Sequence, residues 1–367
     1  MTISRRAFIS SSLMLPLGLS SVRSFADTPA ISKMRQFVIN GNMVIGPEFG
    51  EPFDDETKAQ LEKTGLTAFK LSLGGSRGSY EEVHEVLDSL PEIYASNPDT
   101  LMHINSASDL QRAYDTRRTG IIYSFEAATM LGERVERVEE FANRGVRIMQ
   151  LGYNHTSPFG AGVMSTDGPL GLSKLGYAVI KQMEENEVLL DLSHAHELTA
   201  DEALKTSSKP VSMTHTGCYE INPHQRNKSN KTLRATADSG GIVGIYEMSY
   251  LTADLEQQSL EAFMAHIKHA LKICGEDHVG IGSDTPVLGF DTGPQSMAQW
   301  NEINRQRKET GVAAPGEGPP PYVVGINGPH KMAVISEELN ARGVAPAVID
   351  KIIGNNFARV LSDTLPA

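Results

Sequence analysis

The sequence predicts a parallel (βα)8 barrel, an α/β fold of the TIM type, and three observations carry that prediction. Short apolar, β-branched runs recur eight times with helical patterns between them. Several are apolar on successive residues, as in Val188-Leu189-Leu190 and Ile242-Val243-Gly244-Ile245, and continuous apolarity marks strands covered on both faces. No G-x-G-x-x-G follows the first run, which argues against an open doubly wound sheet.

The eight runs, in order, are Phe37–Asn40, Ala68–Leu73, Gly120–Phe125, Val146–Leu151, Val188–Leu192, Pro210–Thr214, Gly241–Tyr246 and His278–Gly282. Helix patterns cover Arg134–Arg144, Leu172–Asn186, Ser259–Ile273, Lys331–Arg342 and Pro346–Ile353. The run Thr199-Ala200-Asp201-Glu202 places a threonine cap ahead of first-turn carboxylates. Between Pro286 and Pro329 the pattern fails, and Pro315–Pro321 is incompatible with helix or central strand. That stretch reads as a long Pro/Gly-rich insertion lying over one end of the barrel.

The chain carries 33 Lys+Arg against 45 Asp+Glu, a formal charge of −12. No basic stripe offsets the acidity, so non-specific nucleic-acid binding is excluded. Two cysteines, Cys218 and Cys274, are too few for a disulfide scaffold. Residues 1–26 read as an export leader: Arg5-Arg6, an apolar stretch over Leu13–Leu19, then Ser24-Phe25-Ala26 before a cut. The paired arginines point to the twin-arginine export machinery and a periplasmic location. Cleavage there removes three arginines and no acid, which deepens the charge from −12 to −15. Residues 27–367 then form the single barrel domain.

In such a barrel the carboxyl ends of the strands form the reacting face. The third strand ends at Glu126, the fifth runs on to His194, the sixth to His215 and the eighth to Asp284. Singly, each has a plain structural reading: a loop hydrogen bond for a histidine, an ion pair with Arg147 for Glu126, a turn cap for Asp284. Together, two imidazoles and a carboxylate are a ligand set that zinc takes. Asp284 beside them suits the removal of a proton from activated water. Asp191 alternates away from His194 and reads as facing the helices. His196 reads as solvated, and His266 and His269 as surface residues. Met149, Met248 and Met264 read as core fillers.

At these residues the sequence resembles the renal (membrane) dipeptidase family of zinc peptidases. The matching stretches are Gly171-Leu172-Ser173, Val188–His194, Pro210–His215, Gln225-Arg226-Asn227, Gly240–Val243, His278–Asp284 and Gly354–Leu361. The resemblance implies a TIM-like barrel that hydrolyses dipeptides with two zinc ions bridged by a glutamate, and it is compatible with a homodimer. It places Glu126 at the bridge, His194 and His215 on one zinc, Asp284 near the attacking water, and Arg226 on the substrate's terminal carboxylate. A substrate-touching histidine of the family falls at Tyr153, with His155 two residues on as a substitute. The family's first strand reads D-x-H-x-D, and its His and second Asp hold the other zinc. Here that run is Asn40-Gly41-Asn42-Met43-Val44, which argues for one zinc rather than two. The family's aspartate two residues after Asp284 is Pro286 here.

Two functional readings follow, and a third of lower weight. The first is an exported hydrolase using one zinc on Glu126, His194 and His215 to cleave a dipeptide or similar amide with a free carboxylate. The second is a catalytically degenerate relative that binds a peptide or modified amino acid, or assists maturation of an exported product. A lyase or isomerase on the same barrel is the third, since fold does not fix reaction.

Overall fold

The computed structural model describes residues 37–254 and 256–367. The leader expected over residues 1–26 lies outside them. Eight parallel strands close into a barrel: β1 (Ile39–Val44), β2 (Ala68–Ser72), β3 (Thr119–Phe125), β4 (Val146–Gln150), β5 (Leu189–Asp191), β6 (Ser212–Thr216), β7 (Ile242–Ile245) and β8 (Val279–Ile281). Each pairs with its sequence neighbour among the eight, and Asn40 opposite Ile281 closes the ring from β1 to β8. All eight overlap the expected runs; β1 extends to Val44 rather than ending at Asn40, and β6 lies two residues later than Pro210–Thr214. A further short strand, Leu101–His103, pairs with the start of β3.

Residue parity sorts the side chains. Ile39, Ala68, Ile122, Ile148, Leu189 and Ile242 share one core cluster with Phe357 of the closing helix Asn356–Thr364. They fill the amino-terminal half of the barrel. The alternate residues Phe69, Leu71, Ile121, Met149, Leu190 and Val243 pack outward in the larger cluster beneath the helices. Polar residues begin one step above the apolar layer: Lys70, Ser124, Gln150, Asp191 and Thr214 are all buried. The barrel is pinched at Thr214, since a Cβ on Gly282 would lie 1.7 Å from Thr214 O and one on Gly244 2.1 Å. Only glycine admits that approach.

Parity also corrects the reading of Asp191. It shares a face with Leu189 and points into the barrel, fully buried, where it accepts from Ser193 and Thr214. His194 lies past the end of β5, so strand alternation does not reach it. The expected cap at Thr199 is also corrected. The helix is Glu197–Thr206, His196 caps it, and Thr199 sits buried in its first turn bonded to Ala161 O and Leu170 O. His266 is fully buried between Cys218 N and Leu251 O rather than at the surface. His269 is part-buried against Asn230. Both cysteines are free and buried.

The stretch after β8 does cross the carboxyl end of the barrel, but it is not without helix. Pro294–Glu309 is a sixteen-residue helix that buries Ser296, Trp300 and Asn304. Its buried stripe is spaced by four but largely polar, so no apolar period marks it in sequence. The chain that follows is held by side chains of the barrel loops. Arg77 donates to Thr310 O at 2.8 Å, Asn154 to Val312 O at 3.0 Å, and His155 and His224 bond Gly311 O and Pro315 O at 2.6 and 2.7 Å. A buried ion pair anchors the far end: Lys331 Nζ lies 2.7 Å from both oxygens of Glu247, just past β7, and 2.8 Å from Thr285 Oγ1. No helix among the described residues is long and apolar enough to cross a membrane.

Candidate active site

Strand ends deliver the four expected rim residues to one place. Ligand atoms of Glu126, His215 and Asp284 lie within 4.8 Å of one another. His194 joins through His215, their Nε2 atoms 3.1 Å apart. Both imidazoles have the other nitrogen engaged. His194 Nδ1 lies 2.8 Å from Asn154 Oδ1. His215 Nδ1 lies 3.0 Å from Thr214 Oγ1, whose hydroxyl is spent on Asp191 Oδ2 at 2.5 Å. Each Nδ1 therefore carries the proton, and each Nε2 presents a lone pair. Burial, with the nearby Arg226, Lys228 and Lys70 charges, pushes both histidines well below the usual imidazole range and keeps them neutral.

Two lone pairs facing at this distance repel unless a cation or donor meets them, and Arg226 Nη2, 3.2 Å from His194 Nε2, meets one of them. The cluster that could hold a metal ion is Glu126, His215 and Asp284, with Glu126 Oε1 3.9 Å from His215 Nε2, and His194 adjoins it through His215. On the opposite side of the site the polar groups are committed to one another. There the Asn42 amide donates to Glu126 Oε1 at 2.7 Å and to Asp284 Oδ1 at 2.8 Å. Its carbonyl is taken by Lys70 Nζ at 2.9 Å.

Asp284 sits in the left-handed region at φ 60. Burial, then the neighbouring Glu126 carboxylate, pushes it up to about 7, against the pull of Arg226, Lys70 and Arg307. Its backbone N–H donates to Asn42 O at 2.8 Å. Arg226 is buried, with Nη1 2.5 Å from Ser193 O and Nη2 3.2 Å from His194 Nε2. Tyr153 stacks on His194 with ring centroids 4.0 Å apart, and its hydroxyl accepts from Arg307 of the insertion. His155 is exposed and turned to Gly311, so the structure does not bring it to the cluster. Arg147 bonds Asn105, leaving no ion pair to Glu126.

Sequence reasoning missed three buried contributors: Lys70, Asn154 and Lys228. Lys70 carried a signal, being a lysine inside an apolar strand in phase with inward-facing Ala68. Lys228 is 1% exposed and bonds Ala195 O. Burial and Arg226 bring it down to about 7.

A parallel barrel with neutral imidazoles and carboxylates gathered at its carboxyl rim belongs to the class of metal-dependent hydrolase barrels. The family model of the membrane dipeptidases, peptidase family M19, matches residues 76–309, and the chain belongs to that family. It is 27% identical over 283 residues to an uncharacterized protein in the pqqA 5' region of Klebsiella pneumoniae, covering 75% of this chain and 93% of that one. To dipeptidase tcpJ of Claviceps purpurea it is 25% identical over 290 residues, 78% of this chain and 60% of the fungal protein. An amidohydrolase from Pseudomonas aeruginosa superposes with TM-score 0.76 at 27% identity, over 90% of this chain and 97% of the other. A metallopeptidase from Rhodobacter sphaeroides, solved with a phosphinate mimic of the dipeptide L-Ala-D-Ala, shares the fold at TM-score 0.70 and 16% identity, over 90% and 99%.

Proposed function

We propose that this chain hydrolyses a dipeptide, or a similar amide with a free carboxylate, using one zinc held by Glu126, His194 and His215. The observation that carries the reading is the cluster of Glu126, His215 and Asp284 ligand atoms within 4.8 Å of one another, with His194 Nε2 3.1 Å from His215 Nε2. Two imidazoles and a carboxylate suit zinc. Bound there, zinc supplies a Lewis acid for the scissile carbonyl and lowers the pKa of water toward neutrality.

The protein's own groups do the rest. Asp284, buried beside Glu126 and His215, is positioned to take a proton from water and return it to the leaving amine. Asn42 fixes Asp284 Oδ1 and leaves Oδ2 for that proton. Arg226, already bonded to Ser193 O and to His194 Nε2, keeps further N–H groups and a positive charge for a substrate carboxylate. Tyr153 and the Arg307–Glu317 pair above it close the site toward the insertion and exclude water. The leader read from residues 1–26 supports action in the periplasm.

A second reading has its own support. The Asn42 amide donates to both Glu126 and Asp284, Lys70 holds the Asn42 carbonyl, and an Arg226 N–H lies 3.2 Å from His194 Nε2. On that reading the chain binds a peptide or modified amino acid without cutting it. Metal analysis of the exported form, with a dipeptide panel that includes L-Ala-D-Ala, separates the two. One zinc per chain and hydrolysis abolished in His194→Ala support the hydrolase. A folded, metal-free protein, inert and indifferent to chelator, rejects it.

A further inference from the structure

Lys70 has no part in the chemistry assigned above, yet it stands at the centre of the polar layer. It lies mid-strand in β2 and is 1% exposed. Its ammonium is 2.9 Å from Asn42 Oδ1, 3.8 Å from Glu126 Oε1 and 3.9 Å from Asp191 Oδ2. Asn42 extends that contact by donating to both Glu126 and Asp284. Carboxylates from β5, from the end of β3 and from the turn after β8 thus converge on one ammonium and one amide. Lys70 and Asn42 themselves come from the β1–β2 side of the barrel.

We propose that the Lys70 ammonium is a built-in cation filling the β1–β2 half of this site, so that the protein holds one divalent ion on the His194–His215 half and takes no second beside Glu126 and Asp284. The proposal rests on the one-metal reading above and supplies its cause. A metal ion needs lone pairs. On this side Asn42 Oδ1 is committed to Lys70, and the Asn42 N–H groups point at the very oxygens an ion would use. Charge argues the same way. The carboxylates of Glu126, Asp191 and Asp284 face the cations Lys70 and Arg226. With Lys228 also buried beside the histidines, one divalent ion already leaves the group net positive, and a second would leave it strongly cationic. The ammonium cannot swing out, because its stem is enclosed and three oxygens surround its head.

Equilibrium dialysis of the whole exported chain against zinc, then against manganese, with bound metal counted by mass spectrometry, tests this. Wild type is expected to hold one zinc and no added manganese. Lys70→Met frees Asn42 Oδ1 and the adjacent carboxylates and is expected to hold a second ion. Lys70→Arg keeps the charge and is expected to stay at one. A wild type carrying two ions overturns the proposal, as does a Lys70→Met protein that keeps its native circular dichroism yet stops at one. If Lys70→Met does not fold, the neutral Lys70→Gln takes its place with the same two outcomes, and the wild-type count alone still decides against the proposal. A wild type that binds no ion at all defeats instead the one-metal reading beneath it.

Discussion

Replacing Glu247 by glutamine should destabilise the protein by about 3 kcal/mol and unsettle Asp284 at the same time. Glu247 and Lys331 are 0% and 2% exposed at the side chain, with the ammonium 2.7 Å from both carboxylate oxygens. At that distance and an effective dielectric of about 20, their attraction is roughly 6 kcal/mol. Removing both charges from water offsets most of it, so the intact pair adds little net stability. Loss of one partner leaves the other charge buried alone, for which about 3–5 kcal/mol is typical. Glutamine still accepts one hydrogen bond from Lys331, which argues for the lower end. The pair also brackets the catalytic candidate: Glu247 N donates to Ser283 O at 2.9 Å, and Lys331 donates to Thr285 Oγ1 at 2.8 Å. Urea unfolding should be followed by circular dichroism and by fluorescence of Trp300, the one tryptophan, which packs against Phe290 within the insertion. The double variant Glu247→Gln/Lys331→Met should recover to within about 1–2 kcal/mol of wild type, giving a large coupling energy in the cycle. A single variant as stable as wild type, or a double variant no better than the worse single one, would refute the reasoning.

Asn154→Ala removes the partner of His194 Nδ1 and should weaken zinc binding about 10–100-fold in a competitive chelator titration; unchanged affinity would show that the tautomer is set otherwise. In the metal-free protein Asp284 keeps a proton up to about pH 7, whereas the unfolded chain releases it near 3.8. The native state alone holds that proton in between, so this contribution is full below pH 3.8 and is lost as pH rises toward 7. Melting of the metal-free protein across that window should show the fall, and Asp284→Asn should flatten it. Gly282→Ala would set a Cβ 1.7 Å from Thr214 O and should prevent a stable fold. Gly275→Ala, at φ 82 with open space around it, should lower stability by only about 1 kcal/mol; equal effects on expression and melting would overturn the packing argument.

The eight barrel strands were legible because burial on both faces writes an unbroken apolar run into each. The strand Leu101–His103 was not, since three residues carry no period. The helix Pro294–Glu309 escaped because Ser296 and Asn304 bury amides and hydroxyls where a sequence pattern looks for apolar groups. In the site, Glu126, His194, His215 and Asp284 could be placed from strand ends alone. Asp191 could not, because its direction depends on which face of β5 lies inward, and that is fixed only when Leu189 finds its neighbours across the barrel. Lys70 was hidden for a related reason. A lysine within an apolar run invites the reading of a strand edge, and its partners Asn42, Glu126 and Asp191 come from residues 28, 56 and 121 positions away.

Between residues 310 and 315 the strap across the barrel mouth is gripped by its main chain: Thr310, Gly311, Val312 and Pro315 each offer a carbonyl to a donor rooted in the barrel loops. Peptide oxygens do not change when side chains do. Drift in the identities along 310–315 should therefore leave the roof in place, while a single change at a gripping residue such as Asn154 loosens it. The constraint on this roof is written in the walls beneath it, and its own outward-facing residues are free to be retuned for whatever approaches the mouth.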